Sequence, residues 1–468
     1  MISKVFTDQD QAFFAALSGD WNPMHMDPVA ARRTQAGLPA VHGIHGLLWG
    51  LENAPFSALG GFGALQARFE QFIHPGDEVG LSLCEEGQDR VSVSLGVGGR
   101  VATNIVWTRA PKDAASLPLP SGGVTIGAAA EPIWCRSIAE VASLSGTLQF
   151  AGSLDSYAEA FPGLSARIGP ARIGALAALS RLVGMICPGL HSIFLSVDVA
   201  FVPEPENPTV LAFQVKRAHP KFHRILMAVE GGGIAGTIEC LMRAPPVMQL
   251  AAADALGWVA SDAFAGSRAL IVGGSRGLGE VTAKLIAAGG GHPIITYALG
   301  RADAEAVAAD IGQAGGTCDV LPFDFRLEAK AQLGALAPPS HLYYFATPRI
   351  ARQQGALYSP ELFAEFNAAY NDSFYRLCAL FAREETPIRA FYPSSVFVEQ
   401  RPRQMTEYAM AKSAGEILCA DMNAHMRGVH VELDRLPRLL TDQTASTSPV
   451  QMDSAADVIK PVILRMHG

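Results

Sequence analysis

The chain has 468 residues, which at roughly 100–200 residues per domain predicts about three domains. Hydrophobic residues make up 49% of the sequence and charged residues 17%. This balance excludes a disordered, collagenous or coiled-coil protein. The formal net charge is -8, from 36 basic and 44 acidic residues. It argues against a nucleic-acid-binding protein, which normally presents a basic face.

The seven cysteines are scattered and form neither a CxxC pair nor a cluster with histidines. Such thiols are typical of a reducing compartment, so we predict no disulfides and no metal site. The first ten residues include Asp8 and Asp10 and lack an apolar run, which argues against a signal peptide. Because no stretch of about 18 apolar residues occurs, we expect a cytoplasmic protein without a membrane span.

The first part of the chain combines helices with strands that alternate apolar and polar residues. Helices are predicted near 8–17 and 43–53. Strands are predicted at 65–73, 79–84, 91–97 and 101–108. The segment 111–130 is rich in Pro, Ser, Gly and Ala and predicts a linker.

The middle of the chain repeats this order of elements. A buried helix is predicted at 171–186, followed by strands at 191–202, 209–218 and 223–232. A helix followed by antiparallel strands, occurring twice, indicates two copies of one small α+β unit. A second linker-like segment at 244–266 closes this part of the chain.

After residue 266 short apolar strands alternate with helices. The strand sequences are ALIVGG, PIITYAL, CDVLPFD, HLYYFAT, IRAFYPSS and VHVELDRL. This alternation is typical of a doubly wound parallel sheet. The fold class is therefore multidomain, with α+β units followed by an α/β unit, and the predicted domains are 1–112, 128–247 and 266–468.

A glycine-rich turn follows the first of these strands and opens a helix. Gly273 would make the tight turn, Gly277 would let a pyrophosphate approach the backbone, and Gly279 would permit close packing of helix and strand. The helix start supplies N–H groups and the positive end of a dipole. The predicted cofactor-binding residues of this turn are Gly273, Ser275, Arg276, Gly277, Leu278 and Gly279.

A second group of residues carries acid–base chemistry. Tyr408 and Lys412 stand at i and i+4, on one face of a helix. A nearby ammonium favours the phenolate, so we expect a phenol suited to proton transfer near neutral pH. Ser395 ends the strand IRAFYPSS, at the sheet edge where doubly wound folds bind ligands, and its hydroxyl can hold a carbonyl oxygen.

The glycine turn, the serine and Tyr-x-x-x-Lys together resemble the short-chain dehydrogenase/reductase family, and within it the 3-ketoacyl-thioester reductases. The resemblance covers roughly 266–468 and implies a Rossmann-type fold. It further implies that Ser395, Tyr408 and Lys412 carry proton transfer while a nicotinamide delivers hydride. Asn371 is the candidate for the family's structural asparagine, one residue from its ideal position, and Asp324 matches the residue near the adenine.

Two departures from the family pattern accompany this resemblance. The family's Asn-Asn-Ala-Gly after the fourth strand is replaced by the run from Phe345 to Pro348, and its usual threonine before the first turn glycine by Val272. The unit is also short, which predicts a trimmed substrate-covering region. A reductase domain that binds cofactor without turnover therefore stays open as an alternative.

The end of the second strand favours NADPH over NADH. An acid there would bind the ribose 2′-hydroxyl and repel a 2′-phosphate, but after Tyr297 no acid occurs until Asp303. Arg276 and Arg301 are available to a 2′-phosphate. The predicted cofactor is NADPH (NADP), bound in part by Tyr297 and Arg301.

Near the N-terminus, Asp20 and His25 form a candidate acid–base pair. Gly19 can end the preceding helix, and Asn22-Pro23 forbids its continuation, so both side chains are predicted on a turn. A carboxylate and an imidazole together supply an acid and a base near neutral pH. Gly43, at the start of the next helix, can donate its N–H to an oxygen on which negative charge develops.

The series Asp-x-Asn-Pro-x-His, His-Gly, Arg68-Phe69 and Pro-Gly-Asp77 resembles the MaoC-like (R)-specific enoyl-thioester hydratases and dehydratases, which have the hotdog fold. The resemblance covers about 5–110. It implies that Asp20 and His25 are the acid–base pair and Gly43 the oxyanion donor. His42 and His45 are expected to be structural.

The middle segment keeps the helix and strands but lacks Asp-x-Asn-Pro-x-His. We interpret it as a degenerate second hotdog that completes a double hotdog and lines an acyl pocket. An unrelated linker domain is the alternative. His191, His219 and His223 are expected to be ordinary surface or strand residues.

Together these patterns predict a bifunctional dehydratase–ketoreductase that acts on 3-oxoacyl thioesters of acyl carrier protein or CoA. Arg32 and Arg33 are candidates for contacting the carrier, and the reductase part for forming a homodimer. Three alternatives stay open: a hydratase–dehydrogenase working in the oxidative direction, a reductase whose hotdog half only binds acyl chains, and a non-enzymatic acyl-binding scaffold.

Overall fold

The computed structural model of the protein describes residues 2–34, 36–54, 63–86, 89–109, 123–129, 132–350, 357–439 and 453–468. The chain divides into two compact units, the first spanning Met1–Pro245 and the second beginning at Pro246. Most of the predicted linker 111–130 lies outside the described residues. Among the described residues, no helix is long and apolar enough to cross a membrane.

In the first unit, the described residues form eleven strands and eight helices. The strands are β1 (Ile2–Val5), β2 (Ala64–Phe69), β3 (Glu78–Glu86), β4 (Arg90–Val97), β5 (Arg100–Thr108), β6 (Val124–Ile126), β7 (Ser145–Gln149), β8 (Ser192–Phe201), β9 (Val210–His219), β10 (Arg224–Gly231) and β11 (Ile234–Met242). The helices are α1 (Asp8–Ser18), α2 (Pro23–Met26), α3 (Pro28–Ala31), α4 (Gly43–Asn53), α5 (Ile138–Val141), α6 (Leu154–Ala160), α7 (Pro162–Ile168) and α8 (Pro170–Arg181), the last continued by a π-helical turn (Leu182–Ile186).

All eleven strands belong to one sheet, in the order β1-β3-β4-β5-β2-β8-β11-β10-β9-β7-β6. We call residues 2–109 the first half of the unit and residues 123–245 the second half. In both halves a helix precedes four strands of the same connectivity, arranged as β3-β4-β5-β2 and, in reverse, as β8-β11-β10-β9. The halves join through antiparallel pairing of β2 with β8, with Ala64 opposite Ala200 and Arg68 opposite Ser196. This repeat agrees with the two predicted copies of an α+β unit.

The two long helices α4 and α8 are apolar because they are buried against this sheet. Ile44, Leu47, Leu48 and Leu51 of α4 are all fully buried. Gly50 lets the helix approach the strands, because a Cβ there would stand 2.9 Å from Cδ1 of Ile105. A helix with such close contacts needs small residues as well as large ones, which explains the composition GIHGLLWGL.

In the second unit, the described residues form six strands and nine helices. The strands are β12 (Arg268–Val272), β13 (His292–Tyr297), β14 (Asp319–Pro322), β15 (His341–Tyr344), β16 (Ile388–Ser395) and β17 (Val429–Leu436). The helices are α9 (Ala252–Ala255), α10 (Gly277–Ala288), α11 (Arg301–Gln313), α12 (Ala329–Leu333), α13 (Pro360–Asn367), α14 (Ser373–Phe381), α15 (Phe397–Gln400), α16 (Thr406–His425) and α17 (Ala455–His467). A π-helical turn (Ala368–Asp372) connects α13 to α14.

The six strands form one parallel sheet in the order β14-β13-β12-β15-β16-β17. The predicted doubly wound parallel sheet is therefore confirmed, with its direction of winding reversing between β12 and β15. In such sheets the crevice at the carboxyl ends of the strands beside this reversal is where ligands bind. The glycine turn after β12 and Ser395 at the end of β16 both lie at this edge.

The structure differs from the predicted elements at several places. Strands β1, β6, β7 and β11 were not predicted, and β2 ends at Phe69 rather than at residue 73. Strand β11 was missed because it follows β10 through a tight turn at Gly232 and Gly233, both with positive φ. The predicted strand at 223–232 already included part of that turn, so the sequence after it was not recognised as a separate strand.

The division into units also differs from the predicted domains. The predicted domains 1–112 and 128–247 fall in one unit because their strands share a sheet. The second unit begins before residue 266, since the segment around α9 packs on its helices. Lys284 donates to the backbone oxygen of Leu250 at 3.0 Å, and the backbone N–H of Ala252 donates to Asp310 at 3.1 Å.

Candidate active sites

Asp20 is turned into the interior by the end of helix α1. Gly19 takes a left-handed conformation with φ of 78° and donates its N–H to the oxygen of Ala15. A Cβ at Gly19 would stand 2.7 Å from Cδ of Arg181, so glycine is required here by both conformation and space. The helix end predicted from Gly19 is therefore present, and it leaves Asp20 only 1% exposed.

His25 lies on a one-turn helix, and the prediction that it sits on a turn outside any helix was wrong. Asn22 caps α2 by accepting the N–H of Met24 at 3.0 Å, and Pro23 fits the first helical position, where no N–H is needed. Nε2 of His25 stands 4.0 Å from Oδ2 of Asp20. Its other ring nitrogen faces the backbone oxygen of Ala40 at 2.7 Å, which fixes the ring.

Burial shifts the pKa values of Asp20 and of the neighbouring His42. It raises the pKa of Asp20, against the opposing influence of His25 and of hydrogen bonds from Ser180 and Asn22. His42 stacks on His25 with ring centroids 3.9 Å apart, and burial holds its pKa well below the usual value. Nε2 of His42 stands 3.0 Å from the backbone oxygen of Asp20. A neutral, hydrogen-bonded His42 fits the structural role expected for it.

Asp20, His25 and His42 each direct one potential ligand atom to a common region, with these atoms within 4.8 Å of one another. Such a group could in principle hold a metal ion. Nε2 of His42 already faces the Asp20 backbone oxygen, and Nδ1 of His25 faces that of Ala40. These backbone contacts hold one ring nitrogen of each histidine, while Nε2 of His25 faces Oδ2 of Asp20.

Gly43 is the first residue of α4, whose N-terminus carries no side-chain cap. Its chain neighbour His42 contacts both Asp20 and His25, which places the uncapped helix start beside the acid–base pair. A Cβ at Gly43 would stand 3.1 Å from the ring of Phe69 on β2. The helix start therefore packs closely against this ring, and a side chain at residue 43 would crowd it. Uncapped N–H groups next to an acid–base pair suit stabilisation of a developing oxyanion.

The second half contributes residues to this site that the sequence did not suggest. The hydroxyl of Ser180 donates to Oδ2 of Asp20 at 2.6 Å. The side-chain amide of Asn22 donates to the backbone oxygen of Gly184 at 2.8 Å. No local pattern could have revealed these contacts, because about 160 residues separate the partners along the chain.

The glycine turn of the second unit is built as the sequence predicts. Gly273 and Gly277 both have positive φ, of 81° and 58°. A Cβ at Gly279 would stand 2.3 Å from the backbone oxygen of Gly273, so the helix can approach the strand only with glycine there. Helix α10 starts at Gly277 without a side-chain cap, and Ser275 is buried while Arg276 and Leu278 are partly exposed. Free helix N–H groups beside glycines suit a pyrophosphate.

Ser395, Tyr408 and Lys412 come together at the carboxyl end of β16. Ser395 lies near Tyr408 and favours ionisation of its phenol, which lowers the pKa of that group. Lys412 is buried, donates to the backbone oxygen of Pro393 at 2.7 Å, and lies 5.9 Å from the ring centre of Tyr408. Its ammonium is closer to the ring of Tyr370, at 3.9 Å.

The expected lowering of the Tyr408 pKa is not what this structure shows. Burial raises the pKa of the phenol and outweighs the opposing influence of Ser395, while burial also lowers the pKa of Lys412 to about 7. The helical spacing predicted that the two side chains share a face. It did not predict that Lys412 would turn toward Pro393 and Tyr370.

Asn371 is buried within the π-helical turn and links two elements. Its amide donates to the backbone oxygen of Ala411 at 3.0 Å, next to Lys412, and its Oδ1 accepts the hydroxyl of Tyr392 at 2.9 Å. Thr347, within the unusual Phe345–Pro348 run, hydrogen-bonds to the hydroxyl of Tyr370 at 2.6 Å. This pair was missed, since the sequence shows only that the family residues are replaced.

The remaining predicted cofactor residues lie at the ends of β13 and β14. Tyr297 is the last residue of β13. Arg301 is exposed and pairs with Glu305 one helical turn later at 2.7 Å. Asp324 accepts from Arg326, which holds the pKa of the carboxyl below its usual value. Nothing in these contacts tests their binding roles, which stay predictions.

The first half matches known proteins by sequence. Residues 2–104 match the family model described as MaoC like domain. Over 86 residues the chain is 34% identical to the peroxisomal hydratase-dehydrogenase-epimerase of Saccharomyces cerevisiae, covering 18% of this chain and 9% of that protein. Over 43 residues it is 49% identical to the (R)-specific enoyl-CoA hydratase of Aeromonas caviae, covering 9% of this chain and 32% of that protein. The matched region therefore spans a third or less of these relatives.

Solved structures resemble part of this chain at low identity. A 3-oxoacyl (acyl-carrier-protein) reductase from Agrobacterium tumefaciens with NADP bound is 24% identical, with a TM-score of 0.35, covering 39% of this chain and 74% of that one. A short chain dehydrogenase from Burkholderia cenocepacia in complex with NADP is 23% identical, with a TM-score of 0.38, covering 43% and 91%. The strand order of the second unit is what assigns its fold. The chain thus combines a region, residues 2–104, that matches the MaoC like domain model with a unit whose parallel strand order is Rossmann-like.

Proposed function

We propose that the chain is a bifunctional thioester enzyme, with a hydratase/dehydratase site in the first unit and a nicotinamide-dependent ketoreductase site in the second. The observation that carries this proposal is the pairing of the buried Asp20 with the partly buried His25 at 4.0 Å, inside a MaoC-like domain, on the same chain as a Ser395–Tyr408–Lys412 group. In domain terms we propose a double hotdog, with an active copy at 1–112 and a degenerate copy at 128–247, followed by a reductase at 266–468.

The first site is suited to adding water to a trans-2-enoyl thioester or removing it from an (R)-3-hydroxyacyl thioester. Asp20 and His25 together move the proton between water or hydroxyl and C2. As C2 loses or gains its proton, negative charge develops on the thioester oxygen, and the N–H of Gly43 at the uncapped start of α4 would stabilise it. Burial of Asp20 keeps competing water away and strengthens this electrostatic contribution.

The second site fits a dinucleotide. The glycine turn packs so closely against α10 that no Cβ fits at Gly279, and the start of α10 offers N–H groups without a cap. A bound nicotinamide supplies hydride to the carbonyl carbon of a 3-oxoacyl thioester. Tyr408 gives its proton to the carbonyl oxygen, Ser395 orients that oxygen, and Lys412 supports the proton transfer, with Asn371 holding the Lys412 helix in place.

NADPH is the proposed cofactor, because the chain between Tyr297 and Asp303 contains no acid that would repel a 2′-phosphate. Arg276 and Arg301 are the proposed phosphate contacts. NADPH dependence favours the reductive direction, so that the reductase makes the hydroxyacyl thioester and the first site dehydrates it.

The proposed carriers are acyl carrier protein or CoA, and the proposed assembly is a homodimer through the reductase. We retain the cytoplasm as the proposed compartment, although the yeast relative is named as peroxisomal.

Separating the two activities on the intact chain tests this proposal. Purified protein is given acetoacetyl-CoA with NADPH, and separately crotonyl-CoA, while nicotinamide absorbance and enoyl absorbance are followed. Tyr408→Phe is expected to lower hydride transfer at least about a hundredfold and leave hydration of crotonyl-CoA unchanged. Asp20→Asn is expected to do the reverse.

The other possible outcomes identify the alternatives. If Asp20→Asn hydrates crotonyl-CoA at the unaltered rate, the proposed role of Asp20 is contradicted. The chain would then be a reductase whose hotdog half only binds acyl chains. Absence of NADPH binding would favour a scaffold over a reductase. Faster oxidation of 3-hydroxybutyryl-CoA with NAD than with NADP would indicate the oxidative direction. Hydration that stops after treatment with a chelator would show that Asp20, His25 and His42 hold a metal ion after all.

A further inference from the structure

The carboxylate of Asp20 is held by the second half of the first unit. Ser180, on the last turn of α8, donates its hydroxyl to Oδ2 of Asp20 at 2.6 Å. Ser180 is 4% exposed and Asp20 1% exposed, so water does not compete for this bond. A hydrogen bond to a buried ionised carboxylate is among the stronger hydrogen bonds in proteins.

The other oxygen of the carboxylate is held locally. Oδ1 of Asp20 accepts the backbone N–H of Asn22 at 3.2 Å. With one oxygen held by Asn22 and the other by Ser180, the carboxylate cannot rotate freely about its terminal bond. Oδ2 is also the oxygen that faces Nε2 of His25, at 4.0 Å. The hydroxyl of Ser180 therefore sets the oxygen that the imidazole meets.

Gly184 makes the space for this carboxylate. It lies in the π-helical turn Leu182–Ile186 that continues α8, where Cys187 donates its N–H to the oxygen of Leu182 at 2.7 Å. A Cβ at Gly184 would stand 2.2 Å from Oδ1 of Asp20, so any side chain would displace the carboxylate. Single π-helical turns are frequent at functional sites because they shift the backbone locally.

The π-helical turn and the residues just after it also hold the segment between Asp20 and helix α2. Asn22, two residues after Asp20, donates from its side-chain amide to the backbone oxygens of Gly184 at 2.8 Å and of Gly189 at 3.3 Å. The second half thus contacts both the carboxylate and the loop beside it. A half that merely lined an acyl pocket would not need these contacts.

We propose that Ser180 is a positioning residue for Asp20, and that Gly184 supplies the space its carboxylate occupies, so that the second half forms part of the hydration site. This inference rests on the proposed hydratase/dehydratase function of Asp20. It assigns to the half without Asp-x-Asn-Pro-x-His a part in positioning the carboxylate of Asp20.

The test uses the full chain and crotonyl-CoA hydration. Ser180→Ala is the principal variant, because alanine favours the helix and removes only the hydroxyl. Ser180→Thr restores a hydroxyl. Ser94→Ala is the matched control, since Ser94 is a buried serine on β4 of the same unit whose hydroxyl accepts only from Cys84 among the described contacts. Thermal unfolding of each variant shows that it is folded.

Ser180→Ala is expected to lower kcat by about 10- to 100-fold, the loss of one charge-assisted hydrogen bond of about 1.5–3 kcal/mol, with KM changed less than about twofold. The hydrogen bond from Ser180 favours the ionised carboxylate, so its loss should raise the pKa of Asp20. The limb of the pH–rate profile that depends on Asp20 should therefore move to higher pH. Ser180→Thr should recover most of the activity, and Ser94→Ala should match the unaltered protein.

The inference is overturned if Ser180→Ala keeps the kcat and pH profile of Ser94→Ala while Asp20→Asn is inactive. If Asp20→Asn is itself fully active, the proposed hydratase function fails instead, so the two failures are distinguishable. Gly184→Ala provides a second variant: we expect hydration to fall to the level of Asp20→Asn while NADPH binding by the second unit persists. Full hydration activity in Gly184→Ala would equally overturn the proposal.

Discussion

At the scale of single residues, the two candidate sites depend on side chains whose neighbours fix their charge. Asp20 is buried, yet it is held by Ser180 and by the backbone of Asn22, which together offset much of the cost of burying a carboxylate. Lys412 is buried too, and donates to the backbone oxygen of Pro393. Glycines matter as much as charges, because Gly184 and Gly279 each leave room that a methyl group would fill.

Gly279→Ala tests the cofactor turn at this scale. The new Cβ would meet the oxygen of Gly273 at 2.3 Å, so the turn must shift, at a cost of about 1–3 kcal/mol of unfolding free energy. We expect weaker NADPH binding, measured by quenching of protein fluorescence, together with a lower urea midpoint.

Gly312→Ala is the matched control for that variant. Gly312 lies in helix α11 and a Cβ there would meet nothing within 4 Å. Its replacement should raise stability by about 0.5–1 kcal/mol through helix propensity and leave NADPH binding unchanged. Equal NADPH affinities for the two variants would contradict the role given to Gly279.

At the scale of elements, the helices of the first unit are tied together across its two halves. Helix α7 has no side-chain cap of its own. Glu52, at the end of α4, accepts the N–H groups of Gly163 at 2.9 Å and Leu164 at 2.6 Å instead. The side chain of Arg167 on α7 in turn donates to the backbone oxygen of Glu52 at 2.7 Å. A negative side chain at a helix N-terminus also interacts favourably with the helix dipole.

Glu52→Ala should therefore destabilise the first unit. We expect a loss of about 1–2 kcal/mol in the free energy of unfolding, as for removal of an N-terminal cap. Urea unfolding followed by circular dichroism measures it. Glu159→Ala, at an exposed position of α6, serves as the control and should change stability by less than about 0.5 kcal/mol. An equal stability of both variants would show that the cap contributes nothing.

At the scale of the whole molecule, each unit contains a histidine that burial keeps neutral. In the first unit burial lowers the pKa of His45 to about 3, and in the second burial and the neighbouring His341 lower that of His467 to about 3. Unfolding would return both groups to an ordinary pKa of 6.5. The unfolded chain therefore binds more protons between these values, and each unit loses stability as the pH falls below about 6.5.

Thermal unfolding of the full chain between pH 7.5 and pH 4 tests this expectation. Each histidine contributes a loss of up to about 1.4 kcal/mol per pH unit in this window. His45→Gln and His467→Gln should each flatten the pH dependence of one unfolding transition. His430→Gln, at an exposed position of β17, should leave it unchanged. An unchanged slope in both test variants would contradict the assignment.

Much of the architecture could be predicted from sequence. The six strands of the second unit and the helices α1 and α4 were predicted near their observed bounds, because apolar periodicity and capping residues act locally. Local signals did not resolve β11 from the turn before it. They also predicted Asp20 and His25 on a turn, although Asn22 and Pro23 begin a short helix that carries His25.

The sequence by itself determined the chemical inventory: a carboxylate and an imidazole five residues apart, a glycine turn between a strand and a helix, and a phenol four residues before an ammonium. These depend on neighbours along the chain, which periodicity and turn chemistry report. Only the tertiary structure decided that Ser180 meets Asp20, that Gly184 gives its carboxylate room, and that Lys412 faces Pro393 and Tyr370. These contacts join elements far apart in sequence, and packing rather than local conformation selects them. Three domains estimated from length thus become two units, because two similar halves share one sheet.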